Sequence, residues 1–398
     1  MTGTASSLEA AVREGELAMR RRDPSVARRH FQEAIEAGYR PAPWLPLARA
    51  CRALGDRQAE EAAVDQALAV DTRDIRGLVM KGDCLAARGR ERDAVIYYQA
   101  AIRTGKETMG LSHEVESDLS RARAADMKLR NKFEDYLYQR LDEAGFGQGA
   151  RSRELEQSLD ILMGRRSITI ESDAEYVQEP TSFFYPGLPQ RQFYERSEFA
   201  WASLIEAAAD EIRAELEAVL ADDDAFRPYV VQHPDQPINH HVLMNDPSWS
   251  AFYLMRDGQP VRANAPRCPR TLEVLRQAPL PHIAGRAPNI LFSLLRPGTH
   301  IPAHSGIVNT QLICHLPLIV PPGCELRVGN EIRTWEEGKL LVFDDSIEHE
   351  AWNRSDQTRV VLLFEIWRPE IVGKERDALT LLFESVEQYG PSDKGMES

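Results

Sequence analysis

The residues in this chain best suited to chemistry are its histidines, eight of which, out of ten, lie between positions 233 and 349. His304 sits in RPGTHIPAHSG, on the turn after an apolar run that reads as a strand, and His349 sits in FDDSIEHEAWN, after another strand and its acidic turn. Arg359 follows ten residues later, inside TRVVLLFEIW. Two imidazoles on facing strands can bind Fe(II) from one side and leave neighbouring positions for a chelating cosubstrate and O2. An arginine on the next strand suits bidentate capture of a carboxylate at the far end of that cosubstrate. A lone strand histidine is usually structural, so the combination carries the signal. His300, four residues before His304, is a rival ligand on spacing alone.

Such side chains need elements that bring them together. From about 289 to 367 the chain reads as short strands parted by turns, namely NILFSLLR, TQLICHLPLIV, CELRVG, EIRTW, KLLVFD and TRVVLLFEIW. This spacing predicts a sandwich or jelly roll. One amphipathic helix is expected ahead of them, at about 197–222. The first hundred residues instead repeat. Phe31, Val64 and Tyr98, and likewise Ala34, Ala67 and Ala101, are spaced by 33 and then 34 residues, with Gly15, Ala48 and Gly82 in step and Gly55 and Gly89 at the turns. The pattern resembles tetratricopeptide repeats over about 8–108, with Glu60 where a small residue is usual. Residues 112–143 continue as an amphipathic helix suited to capping the stack.

The expected architecture is therefore multidomain α + β. All-α tetratricopeptide-like helical repeats (1–110) are followed by a helical cap or linker (111–165), a double-stranded β-helix (jelly-roll) domain (166–385) and a flexible tail (386–398). With 398 residues and 43% apolar content, the chain can bury substantial cores. A formal net charge of −14 argues against nucleic acid as a partner. No run approaches 18 apolar residues and the N-terminus carries acidic groups, so neither membrane insertion nor a signal peptide is expected, and the expected location is cytoplasmic. Five cysteines without CxxC spacing suit bystander thiols better than a disulfide framework.

His304, His349 and Arg359 together are the combination of a 2-oxoglutarate oxygenase. The sequence resembles one family in particular, the aspartyl/asparaginyl β-hydroxylases. The resemblance runs through FFYPGLP (183–189), SLLRPGTHIPAHSGIVN (293–309), the EGK, FDDS and EHE-W elements of 315–353, and RVVLLFEIWRPE (359–370). It implies His304 and His349 as the iron ligands and Arg359 as the holder of the 2-oxoglutarate C5 carboxylate, with Fe(II) as metal and 2-oxoglutarate and O2 as cosubstrates. It also implies that Ser293 and His315 line the cosubstrate pocket, although a serine opening a strand and a histidine in HLPL also suit ordinary core hydrogen bonding.

Two features qualify the resemblance. The common metal triad has a carboxylate two residues after the first histidine, where this chain has Gly306. The family shares that absence, which implies water in the third position, and a carboxylate introduced at 306 is expected to reach the metal. Asp344 and Asp345 are candidates to contact that water or an imidazole, or simply to bond the backbone of a β-turn. Family members acting on acidic or amide side chains typically show N-x-R-L-R-x-H, whereas this chain has Gln311 and Ile313 in place of both arginines. Arg296, Arg327 and Arg333 are possible substitutes. The expected activity is hydroxylation of an unactivated C–H, foremost the β-carbon of an Asp or Asn in a peptide or protein held by the repeat groove. The alternatives are hydroxylation of a lipid acyl chain or small metabolite, and a non-catalytic binding module.

Overall fold

The computed structural model describes residues 2–170, 172–222, 224–231 and 242–389, with side chains from Leu8 onward. His233, His240 and His241 lie outside the described residues, as does the expected tail (386–398) from 390 on, whereas 386–388 belong to the last helix. The chain divides into two compact units, one centred on Met1–Phe133 and the other on Glu134–Gln232 and Asn239–Gln388.

The first unit contains α1 (Thr2–Arg20), α2 (Pro24–Glu36), α3 (Trp44–Ala53), α4 (Arg57–Val70), α5 (Ile75–Ala87) and α6 (Glu91–Glu107). They form three helical hairpins, α1 with α2, α3 with α4 and α5 with α6. The repeat register explains the packing. A Cβ at Gly15 would lie 2.6 Å from Phe31 Cε1, and one at Gly82 would lie 2.6 Å from Tyr98 Cε1, so glycine is what lets each aromatic ring enter its hairpin. The turns inside the hairpins use the left-handed region at equivalent places: Arg22 (φ 62°), Gly55 (φ 76°) and Gly89 (φ 77°). Asp23 and Asp56 then cap the following helices by accepting from Val26 N and Ala59 N, each at 3.1 Å. Glu60, the misfit of the repeat pattern, is fully buried and takes a hydrogen bond from Arg52 Nε at 2.5 Å.

Helix α7 (His113–Glu143) contributes its residues up to Phe133 to the first unit and its remainder to the second. The second unit continues with α8 (Arg153–Leu162), β1 (Phe193–Tyr194), α9 (Ala202–Ala207) and α10 (Ala209–Leu220). The helix expected at 197–222 is thus broken at Ala208, within an Ala-rich stretch that carries no Gly, Pro or polar stop signal. There follow β2 (Arg227–Pro228), β3 (Trp249–Arg256), β4 (Gln259–Pro260), α11 (Pro269–Leu275), β5 (Ile290–Leu295), β6 (His300–His304), β7 (Gln311–Ile319), β8 (Cys324–Val328), β9 (Glu331–Thr334), β10 (Leu341–Phe343), β11 (His349–Asn353), β12 (Arg359–Trp367) and α12 (Lys374–Gln388). Among the described residues no helix is long and apolar enough to cross a membrane.

The strands form a jelly roll of two antiparallel sheets. The larger runs β1-β10-β7-β12-β5-β3-β2 with β4 beside β3, and the smaller runs β6-β11-β8-β9. Strands β7 and β12 are apolar almost throughout because both of their faces are covered. One face, with Leu312, Cys314, Leu316, Leu362 and Phe364, packs in a core shared with Ile205, Ile212 and Leu216 of the helices. The other face looks into the roll, where Trp249, Leu295, Phe343 and Trp335 join Ile301, Leu326, Val328 and Ala351 of the smaller sheet.

Candidate active site

Register across the larger sheet arranges its inward residues in rows. Arg359 stands opposite Leu295, which stands opposite Trp249. Val361, Ser293 and Ala251 form the next row, and Leu341, His315, Leu363, Leu291 and Tyr253 the one after. Beyond them come Phe193, Phe343, Ile313 and Glu365. Successive rows are two residues, or about 7 Å, apart along a strand. Alternation therefore brings Arg359, Ser293 and His315 to one wall, in that order.

The facing wall carries the histidine pair. His304 ends β6 and His349 opens β11, directly opposite each other, with ring centroids 4.2 Å apart. Neither position lies on a turn, because each belongs to a five-residue strand that the apolar pattern does not reveal. Pro302 is tolerated in β6 because that strand is an edge of its sheet. The register slips between His349 and Ala351, which pair with His304 and Ile301, so β6 holds a bulge. The bulge separates the two candidate ligands of this strand. Without it, a spacing of four would put His300 and His304 on the same face. Instead His300 pairs with Trp352 on the outside, stacks on it at 5.2 Å and bonds Glu350 Oε2 at 2.8 Å.

Each ring of the pair is set by a carbonyl. His304 Nδ1 is 2.8 Å from Pro302 O and His349 Nδ1 is 3.1 Å from Ile347 O. A carbonyl only accepts, so Nδ1 carries the hydrogen and Nε2 the lone pair, which is the tautomer a metal needs. Burial, and then the neighbouring His304, pull the His349 pKa down to about 3, so this ring is neutral at physiological pH. Among the described residues no cluster of three or more His, Cys, Asp or Glu side chains is gathered to hold a metal.

Arg359 is 1% exposed and lies 4.9 Å over the Trp335 ring. Its Nη1 donates to the Ser293 carbonyl at 3.4 Å, and its Nε has no partner among the described residues. Burial pulls its pKa down to about 10. His315 Nδ1 accepts from Trp335 Nε1 at 3.3 Å, so its hydrogen is on Nε2, and burial, helped by Arg359, holds its pKa well below the usual range. Ser293 Oγ accepts from Trp249 Nε1 at 3.4 Å.

The acidic turn before His349 divides its labour. Asp344 is fully buried and ion-paired with Arg368 Nη1 at 2.7 Å, and it accepts from Gln178 Nε2 at 2.7 Å and Ser346 Oγ at 2.5 Å. Arg368 also donates to Tyr194 OH at 2.5 Å and Pro189 O at 3.1 Å, while Asn309 Nδ2 reaches Gln178 Oε1 at 2.9 Å and Tyr185 O at 2.8 Å. This network ties the 185–189 loop, the start of β7 and the 344–348 turn into one support for His349. The sequence offered only weak signals for Arg368 and Gln178, since their partners are distant in the chain. Asp345 instead sets its carboxylate against Gly306, where any Cβ would collide with it. Of the possible substitute arginines, Arg327 pairs with Glu348 and Glu350, Arg333 with Glu331 and Glu195, and Arg296 is exposed in the turn after β5.

Residues 206–369 match the sequence profile of the family described as aspartyl/asparaginyl beta-hydroxylase. Through this domain the chain belongs to that family. An ornithine lipid ester-linked acyl 2-hydroxylase from Rhizobium tropici is 37% identical over 194 residues, or 48% of this chain and 66% of that protein. The human aspartyl/asparaginyl beta-hydroxylase is 38% identical over 133 residues, 33% of this chain and 17% of that protein. Human aspartate beta-hydroxylase domain-containing protein 2 is 33% identical over 235 residues, 56% of this chain and 61% of that protein. The chain thus spans 66%, 17% and 61% of these relatives' lengths. The aspartyl/asparaginyl β-hydroxylase domain holds both histidines, Arg359, Ser293 and His315 within the matched residues.

Proposed function

We propose that the chain is an Fe(II)- and 2-oxoglutarate-dependent hydroxylase acting on a peptide or protein. The observation that supports this best is Arg359, a guanidinium buried inside the roll with no anion beside it among the described residues. Burying an uncompensated charge is costly, and the C5 carboxylate of 2-oxoglutarate is the partner that would offset the cost. His304 and His349 would hold the iron through Nε2, and Ser293 Oγ and His315 Nε2–H would line the space between Arg359 and the metal. When bound, iron, 2-oxoglutarate and O2 supply the oxidising equivalents that convert an unactivated C–H to C–OH while releasing succinate and CO2.

The protein's own part is position and exclusion. The Asp344–Arg368 network fixes the turn that presents His349, the Pro302 bulge aims His304, and the aromatic lining of Trp249, Phe343 and Trp335 keeps water from the reacting centre. The repeats would hold a segment flanking the target and raise its effective concentration at the site. A lipid acyl chain or small metabolite is the second reading, favoured by the loss of both arginines at Gln311 and Ile313 and by the similarity to a lipid hydroxylase.

The test is turnover of full-length protein with Fe(II), 2-oxoglutarate and whole-proteome peptides or extracted lipids, read as succinate release and a mass gain of one oxygen. No succinate under any condition would reject the oxygenase reading. Oxygen gained only by lipids would reject the peptide substrate.

A further inference from the structure

The two positions that lack arginine fall on the inward face of β7, and their surroundings have a definite charge. Ile313 stands opposite Glu365 of β12, and Gln311 stands opposite Trp367. These are the rows farthest from Arg359, on the side of the roll beyond His315. Glu365 has no ion-pair partner among the described residues. Its two oxygens accept from Asn289 N and Asn289 Nδ2, both at 3.0 Å, which leaves further lone pairs on each. Arg286 acts on it electrostatically, but its Nη1 bonds Glu387 at 3.5 Å. The field reaches Asp345, whose carboxyl is pushed up first by burial and then by Asp344 and Glu365. A second observation is independent of charge. Gln311 is only 7% exposed, and its Nε2 finds no acceptor among the described residues. A buried donor without a partner costs roughly 1–3 kcal/mol, so something that accepts a hydrogen bond belongs there.

An arginine at 313 would have paired across the strands with Glu365 and left a basic surface for a substrate carboxylate. Isoleucine leaves the glutamate without that cross-strand partner. We propose that the substrate presents an alkylammonium or guanidinium group to Glu365, with a carbonyl a few bonds away accepting from Gln311 Nε2. That combination is a basic amino-acid unit, free or within a peptide. The proposal rests on the oxygenase reading above and replaces the acidic side chain that the family name suggests.

The experiment uses full-length protein with Fe(II) and 2-oxoglutarate. The probes are blocked pentapeptides carrying arginine, lysine, aspartate or leucine at the centre, with free arginine and lysine as separate arms to tell a peptide-borne cation from a free one. Succinate formation and oxygen incorporation are read for each. The expected result is that kcat/KM for a cationic probe exceeds that for the aspartate peptide by at least about tenfold. Glu365→Gln should collapse that ratio, whereas a merely structural role would lower all probes together. Ile313→Arg, which gives Glu365 an internal partner, should collapse it as well, and serves if Glu365→Gln does not fold. Equal or better use of the aspartate or leucine peptide by the wild type overturns the charge preference alone. Absence of succinate with every probe overturns the oxygenase reading and this one with it.

Discussion

His304 and His349 face each other across the β6–β11 ladder with ring centroids 4.2 Å apart, each held at Nδ1 by a carbonyl two residues before it. With the hydrogen on Nδ1, the lone pair of each ring is on Nε2, the atom that would face a metal. Replacing either histidine by alanine is expected to abolish Fe(II) binding and succinate formation. The His300→Ala variant, altered on the outer face, should keep both. Calorimetric Fe(II) titration and succinate release measure the two effects, and loss of iron binding in His300→Ala with retention in His304→Ala would reverse the assignment.

Arg359 makes a prediction of opposite signs for stability and binding. Arg359 is buried with no anion beside it among the described residues, which destabilises the cosubstrate-free fold, so Arg359→Met, which keeps the length and removes the charge, should raise Tm in the absence of 2-oxoglutarate. The same change should weaken 2-oxoglutarate binding by about 2–5 kcal/mol, because the carboxylate would then be buried unpaired. Thermal shift with and without the cosubstrate checks both. A variant with wild-type 2-oxoglutarate affinity would remove Arg359 from the site.

The site shows where sequence legibility ends. Strands β5, β7, β8, β9, β10 and β12 follow from their apolar or alternating runs, and His315 and Arg359 inherit their inward direction from that alternation. Strands β6 and β11 escaped notice because HIPAH and HEAWN are short, polar and, in β6, interrupted by Pro302. The bulge that sends His300 out and His304 in depends on the pairing partner, which no local pattern encodes. The same is true of the Asp344–Arg368 and Asp344–Gln178 contacts, the latter spanning 166 residues. The repeat array was legible for the opposite reason, since Gly82 and Tyr98 belong to one hairpin and their fit recurs at Gly15 and Phe31.

That fit can be tested directly. Gly82→Ala places a methyl 2.6 Å from the Tyr98 ring and should destabilise the helical unit by about 1–3 kcal/mol through overpacking. Tyr98→Leu in the same chain should recover part of the loss by making room. Denaturant unfolding of the single and double variants gives the coupling, and additive effects would contradict the proposed packing.

Gly306 corrects an expectation drawn from sequence. A carboxylate introduced there looked able to reach the metal, but the space beside Gly306 is filled by the Asp345 carboxylate. Gly306→Asp would set a second carboxylate against the first, so it is expected to weaken Fe(II) binding by displacing the turn that leads to His349. Gly306→Ala should weaken it too, through sterics alone. Tighter iron binding in Gly306→Asp, measured by calorimetry, would show that the turn yields and that Asp345 does not hold this space.

Glu365 links stability to the charge it presents. Burial raises its pKa against the lowering effect of the two Asn289 hydrogen bonds, so the folded state holds the proton more tightly than the unfolded chain does. A carboxyl with a raised folded pKa favours folding at low pH and costs stability once pH rises above its unfolded pKa of about 4.3 and then its folded one. At pH 7 the wild type therefore bears this cost when no cation is bound, and Glu365→Gln, which keeps the shape and removes the charge, should have the higher Tm. The difference should shrink as the pH is lowered, because the wild-type carboxyl takes up its proton and loses the charge. Thermal unfolding of both proteins across pH 5–8, without substrate, measures it. A Glu365→Gln protein less stable than the wild type at pH 7 would mean that the Asn289 bonds outweigh desolvation, and that Glu365 is held as part of the frame rather than in wait for a partner.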